Sequence, residues 1–453
     1  MKRTVAIIMT SVILLMCFSC CTQSEMPGPE NPVTLTIWHV YGSQTKSPLN
    51  IAINEFNSTV GKENGITVNV VSVTSSSAID KALAASANGE PGAEAMQDLF
   101  TAYPRVVEIV GKENLLNWDD YFTEKELSAF QTEFISEGYF DNVLLMLPIA
   151  KSTEAFYLNK TIFDRFSNDT GVSIDDLNTF AGVFETARKY YDWTDGQNFM
   201  QINDYYHYAY IGMKSYGAEF VRNSRLRLDD EVFMKIWKPL AETAIYGGIC
   251  LDDGYAASRW KTVEVIANTG STADVLYQPA EVIYPDNTTE DITAIALPYP
   301  TFVDDTFGVI YRGGGLFARN SEDELKNQAA YIFAKWLTEK EHNLDFVTDA
   351  GYLPVRTDAI ETLFADFSIV EKESYHSVYQ AVETMISDYT FYALPLYEGA
   401  SETQLDFEQN VKAVLKTAHN QYIKRVNQGE DPETVLNELV ETSLTELKKL
   451  SSE

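Results

Sequence analysis

The stretch Val33–Val40, VTLTIWHV, alternates branched apolar residues with polar ones, the period-two signature of a strand with a buried face. Tyr41-Gly42-Ser43-Gln44 follows as a polar turn, and Ser47-Pro48 reads as a helix cap with proline in the first turn. Leu49, Ala52, Ile53 and Phe56 then recur at helical spacing, and after Gly65 the run ITVNVVSV predicts a second strand. Strand, helix and strand in this order form a β-α-β unit, which requires parallel strands with helices over the sheet faces. The alternation continues down the chain, so the fold class is α/β. Ser321-Glu322-Asp323-Glu324 predicts a capping box ahead of a helix bearing Leu325, Ile332, Phe333, Trp336 and Leu337. Asp431-Pro432 opens a last helix with Leu436, Leu439, Val440, Leu444 and Leu447 on one face. The sequence has no internal repeat and no long low-complexity linker, so several structured segments would join any lobes.

Length and charge sharpen this picture. At 453 residues the chain exceeds one ordinary core and predicts two or three lobes, and its 45 % hydrophobic and 12 % aromatic content can fill them. The formal net charge of −32 repels nucleic acid and anionic lipid and suits a soluble protein outside the cytoplasm. Lys2 and Arg3 precede an apolar run, Val5–Phe18, that is shorter than the ~20 residues a membrane-spanning helix needs. The run ends in Cys17-Phe18-Ser19-Cys20-Cys21, where a small residue directly before a cysteine is similar to the lipobox of bacterial lipoproteins. Residues 1–20 are then a lipoprotein signal peptide, with Cys20 lipidated (Cys21 is the second choice), and residues 21–32 form a flexible tether rich in proline. Cys250 is left alone in the body, so it can build neither an internal disulfide nor a cysteine metal cluster. No later stretch is long and apolar enough to span a bilayer.

Signals for catalysis are weak. The five histidines are scattered, and there is no phosphate-binding glycine loop, nucleophile elbow or calcium loop. Pairs such as Asp119-Asp120 and Asp252-Asp253 are expected by chance among 66 acids. The aromatics say more. Trp38-His39-Val40-Tyr41-Gly42, Phe100-Thr101-Ala102-Tyr103, Tyr205-Tyr206-His207-Tyr208, Trp260, Gly351-Tyr352-Leu353-Pro354 and Leu396-Tyr397-Glu398-Gly399 all set rings beside polar or glycine-rich turns. Flat aromatic faces with nearby hydrogen-bonding groups suit a sugar ring or another small polar ligand.

The stretch LPIAKSTEAFYLNK, residues 147–160, carries a more specific signal. It resembles a segment of the family-1 extracellular solute-binding proteins, which serve carbohydrate ABC importers: Pro148-Ile149-Ala150, four variable residues from Lys151 to Glu154, then Ala155, Phe156-Tyr157 and Leu158-Asn159-Lys160, with Leu158 where tyrosine is usual. LTIWHVYGS, EAMQDLFTAY, IANTGSTAD, ITAIALPYP, YRGGGLF and DAGYLPVR follow the family's order over nearly the whole chain. The likeness is strongest to binders of oligosaccharides and of glycerol 3-phosphate. It implies a two-lobe periplasmic-binding-protein fold of type II, like maltose-binding protein, with a multi-segment hinge. Residues 33–148 and 298–350 would form the N-terminal lobe, and residues 149–297 and 351–453 the C-terminal lobe. Pro148–Ala150 would cross between lobes, with Lys151-Ser152-Thr153-Glu154 at the cleft floor. The resemblance implies ligand contacts from Trp38, His39, Tyr41, Phe100, Tyr103, Ser152, Thr153, Glu154, Tyr206, Ser271, Thr272, Arg312, Gly313, Tyr352 and Tyr397. In the glycerol-phosphate binders an arginine near the C-terminal loop meets the phosphate; the comparable YEGASETQL has none, which argues against a phosphate ligand. Arg312 stays open between holding an anionic group and a structural role beside the glycine run. The implied protein is a monomeric, lipid-anchored, extracytoplasmic binder with no cofactor, metal or catalytic residue. Its partners are a small-molecule ligand, expected to be a sugar, and an ABC permease with its ATPase. The alternatives are a cell-surface glycan hydrolase and a glycan-binding module feeding a sensor.

Overall fold

The computed structural model describes residues 26–451 apart from 42–46, 74, 304 and 398. The signal peptide and Cys20 lie outside the described residues, as does most of the turn expected after Tyr41. The chain opens with β1 (Val33–Trp38), α1 (Pro48–Ser58), β2 (Ile66–Val71), α2 (Ser76–Ala87) and β3 (Leu99–Ala102). A long central strand β4 (Ser152–Asn159) leads into α3 (Lys160–Thr170), α4 (Phe180–Trp193), β5 (Met200–Ile202), α5 (Tyr205–Ser215), α6 (Glu231–Tyr246) and β6 (Ala267–Ser271). Then come β7 (Ala294–Leu297), β8 (Gly308–Arg312), β9 (Gly315–Ala318), α7 (Glu324–Thr338), α8 (Lys340–Ala350), α9 (His376–Asp388), β10 (Thr390–Tyr392), α10 (Ala400–Asn427) and α11 (Pro432–Leu450).

Two sheets organise these elements. The first has the order β9-β3-β1-β2, and the second runs β10-β8-β4-β6-β5 with β7 also on β4. β1 and β2 are parallel from Val33 opposite Ile66 to Trp38 opposite Val71, so the β-α-β unit forms as the pattern predicts. Ser47 caps α1, its Oγ accepting from the Asn50 amide at 3.2 Å, and Leu49, Ala52, Ile53 and Phe56 are its buried face. Each lobe has its own core. Leu35, Ile37, Phe56, Phe333 and Trp336 fill one side of the first sheet, and Trp38, Phe100 and Phe317 the other. All eight residues of β4 are buried, because helices cover both faces of the second sheet.

Three segments pass between the lobes. Leu147 pairs with Leu316 in the first lobe, Lys151 pairs with Leu353, and Ser152-Thr153 pair with Arg312-Tyr311 in the second. The return crossing corrects the expected boundary. β7 and β8 both stay on β4, so residues 298–312 belong to the second sheet and the chain crosses at Gly313-Gly314. Likewise Gln131 donates to the Val355 carbonyl, so the chain remains with the first lobe beyond residue 350. The tether differs too. Its described part forms a turn, with the Asn31 amide donating to the Gly28 carbonyl at 2.9 Å beside Gly65. The helix after residue 321 starts later than the expected capping box, with Asp323 as its cap. No helix among the described residues is long and apolar enough to cross a membrane.

Candidate functional site

The strand ends of the two sheets meet across a cleft of about 840 Å³, including space open to solvent. This is where ligands bind in open α/β sheets, beyond the carboxyl ends of parallel strands. The first lobe lines it with Val40 and Tyr41 after β1, Ser76 on α2, and Thr101, Ala102 and Tyr103 at the end of β3. Ser271, Ala273, Asp274, Leu276 and Tyr277 face them from the end of β6 and the helical turn Thr272–Tyr277. Ser152, Arg312, Gly313 and Gly314 make the floor where the chain crosses, and Tyr352 closes one side.

Local chemistry places these groups. A Cβ on Gly314 would lie 2.0 Å from the Ala102 carbonyl oxygen, so only glycine lets the crossing strand approach β3 this closely. A Cβ on Gly270 would lie 2.3 Å from Asp274 Oδ2, so the bare backbone there makes room for that carboxylate. Tyr41 and Tyr352 pack edge to face at 5.2 Å, and Tyr41 meets Phe346 in the same way at 5.4 Å. Tyr103 and Tyr277 expose 39 % and 54 % of their surface, enough for their rings to cover a ligand.

A buried polar chain lies beneath the floor. Arg312 Nη1 donates to Glu154 Oε1 at 2.8 Å. His207 Nδ1 lies 2.7 Å from the same oxygen and 2.9 Å from Asp204 Oδ2. Burial opposes a charged imidazole, but Asp204 and Glu154 outweigh it and raise the His207 pKa. Burial likewise opposes charge on Asp204, yet His207 and Arg312 hold its carboxyl well below the usual range. Arg312 stays charged despite its burial because Glu154, Asp204 and Asp274 surround it. Burial and then Asp204 push Glu408 on α10 far up, which keeps it protonated; its Oε1 accepts from the Tyr206 amide at 2.6 Å. Asp274 is pushed up to about 6, chiefly by burial, with Arg312 pulling the other way.

Of the residues singled out from sequence, Tyr41, Tyr103, Ser152, Ser271, Arg312, Gly313 and Tyr352 border the cleft. The others do not. Trp38 and Phe100 are buried in the first core, Phe100 stacked on Phe317 at 5.6 Å. His39 turns to α1, its Nε2 2.8 Å from Asn50 Oδ1. Thr153 donates to the Ile310 carbonyl at 2.7 Å, and Glu154 is spent on Arg312 and His207. Thr272 is buried, its carbonyl accepting from the Tyr157 hydroxyl at 2.8 Å. Tyr206 packs on Phe220 at 5.2 Å, and its hydroxyl adjoins that of Tyr397 inside the second lobe. Sequence reasoning missed Asp274, Tyr277, Thr101 and Ser76. Asp274 ends the stretch IANTGSTAD, and its signal was a carboxylate four residues after a glycine at a strand end.

Comparison with known structures agrees with this architecture. The ABC substrate-binding protein Lmo0181 from Listeria monocytogenes, in complex with cycloalternan, superposes over 91 % of this chain and 98 % of its own, with a TM-score of 0.67 at 13 % identity. UgpB from Mycobacterium tuberculosis, in complex with glycerophosphocholine, covers 92 % of this chain and 98 % of its own, with a TM-score of 0.66 at 14 % identity. The cyclic alpha-maltosyl-1,6-maltose binding protein from Arthrobacter globiformis covers 92 % and 100 %, with a TM-score of 0.64 at 15 % identity. At such identities the shared property is the fold: two α/β lobes of the maltose-binding-protein type. No curated relative matches the sequence. The sequence profile of the bacterial extracellular solute-binding proteins matches residues 52–368, well over half the chain, and the chain therefore belongs to that family.

Proposed function

We propose that this protein is the substrate-binding lipoprotein of an ABC importer, and that it captures a mono- or oligosaccharide or a related polar solute between its lobes. The observation that carries this reading is the cleft itself. Tyr41, Tyr103, Tyr277 and Tyr352 line it from both lobes, together with Ser152, Ser271, Thr101, Asp274 and Arg312. Aromatic faces with a few fixed polar groups are what a sugar ring needs. The structural neighbours named above include two binders solved with, or named for, cyclic saccharides, which supports the same reading.

The protein binds without changing its ligand. Contacts from both lobes stabilise a closed state, and the shifted population docks on a membrane permease whose ATPase drives import. The chain acts as a monomer, anchored by lipid at Cys20 once the residues before it are removed, and works outside the cytoplasm. Isothermal titration against neutral sugars, polyols and their phosphates, with small-angle scattering on each mixture, tests this. Saturable binding with a smaller radius of gyration is expected. Neither heat nor compaction across the panel would overturn it.

A further inference from the structure

The charges around the cleft are unevenly matched. Arg312 is tied to Glu154 at 2.8 Å. Lys151 is fully buried, paired with Glu137, and donates to the Gly313 carbonyl at 3.3 Å. Arg105 lies 5.3 Å from the centre of the Tyr103 ring and is paired with Asp80. Each of these cations has its carboxylate. Asp274 is less well matched: its nearest donors are uncharged, Asn203 Nδ2 at 3.5 Å and the Ser271 backbone, and Arg312, the cation that acts on it, does so from beyond contact and is already bound to Glu154. A carboxylate set into a cleft wall with only a shared and distant counter-ion is costly, and a cation arriving in the cleft would relieve that cost. The surroundings favour a positive visitor. Tyr41, Tyr103, Tyr277 and Tyr352 line the same space, and tyrosine faces attract cations as well as sugar rings. The chain's net charge of −32 draws cations toward it and repels anions.

We propose that the preferred solute of this cleft is an amino sugar or a short amino-sugar oligomer, whose ammonium group pairs with Asp274 while the tyrosines cover its rings. This rests on the carbohydrate reading above and narrows it: phosphorylated and acidic sugars are excluded, and neutral or N-acetylated ones bind more weakly.

Calorimetric titration at about pH 7 separates the possibilities; the neighbouring oxygens make an amino-sugar amine less basic than a lysine, so its affinity is compared per charged ligand. Glucosamine oligomers, their N-acetylated forms and glucose oligomers of equal length are compared. The amine form should bind at least tenfold tighter than either neutral set. Asp274→Asn should bring the three within about twofold of one another. In the unaltered protein the preference should fade as pH falls through about 6, since Asp274 then takes up a proton while the amine keeps its own. The groups facing Asp274 in that titration are Arg312, Glu154, Tyr157 and Tyr352. Equal or tighter binding of a neutral form, or a preference that survives both Asp274→Asn and acid, would overturn the inference and leave sugar capture standing. Silence from all three sets would overturn the inference and count against the carbohydrate reading with it.

Discussion

Glu408 shows what one buried side chain does to the whole protein's pH dependence. Burial and the neighbouring Asp204 raise its pKa in the folded state well above that of an ordinary glutamate. The unfolded chain releases that proton near the ordinary value, so folding at neutral pH must take a proton up. Its stabilising effect is full at acid pH and shrinks as pH rises from the unfolded toward the folded value. Glu408→Gln keeps an oxygen for the Tyr206 amide and offers Asp204 a neutral donor. The variant should match the parent near pH 5 and become the more heat-stable of the two by pH 8 to 9, as calorimetric melting temperatures would show. A parent that stays as heat-stable as the variant at alkaline pH would contradict this protonation. The same scale shows why some cleft residues were legible and others were not. Tyr41, Ser271 and Tyr352 follow strands or helices that end at the cleft, and position along the chain was enough to find them. Trp38 and Phe100 stand at strand ends too, but both faces of their sheet are covered, so a ring there enters a core whichever way it points. Glu154 looked like a ligand contact because it is polar between apolar strands. Its partners, Arg312 and His207, are far away in sequence, and no local pattern announces them.

Elements whose signals are local were read with little error. Asp431 caps α11 by accepting from the Thr434 amide at 2.9 Å, with Pro432 in the first turn, as the dipeptide foretells. The crossings were harder. ALPYP looks like a strand running out of one lobe, but β7 pairs antiparallel with the far half of β4, and β8 then takes the near half. That sharing of one central strand is a long-range choice that the sequence alone does not display. The glycine run YRGGGLF marks the true crossing, and a substitution tests it. In Gly314→Ala the new methyl would sit 2.0 Å from the Ala102 carbonyl oxygen, backbone against backbone. The strands would have to separate, at a cost of about 1–3 kcal/mol or more. The denaturation midpoint should fall accordingly, and ligand affinity should fall with it, because Gly313, Gly314 and Ala102 all border the cleft. An unchanged midpoint would mean that the crossing is looser than the geometry requires.

At the scale of the molecule, both lobes are assembled from pieces distant in sequence. β3 ends at Ala102, yet its outer neighbour β9 begins only at Gly315. The second sheet waits longer still, for β10 at Thr390–Tyr392 and for α10 and α11, whose Phe407, Leu415, Leu439 and Leu447 belong to its core. Such long loops must close before their contacts repay the entropy, which slows folding. A fragment ending before Gly315 should therefore show neither cooperative melting nor dispersed amide resonances, although it holds three strands of the first sheet; a folded fragment would refute this. For a chain made from its amino terminus onward, the consequence is temporal. The half that leaves the ribosome first cannot lock into shape until the other half catches up, so the chain stays threadable for most of its synthesis.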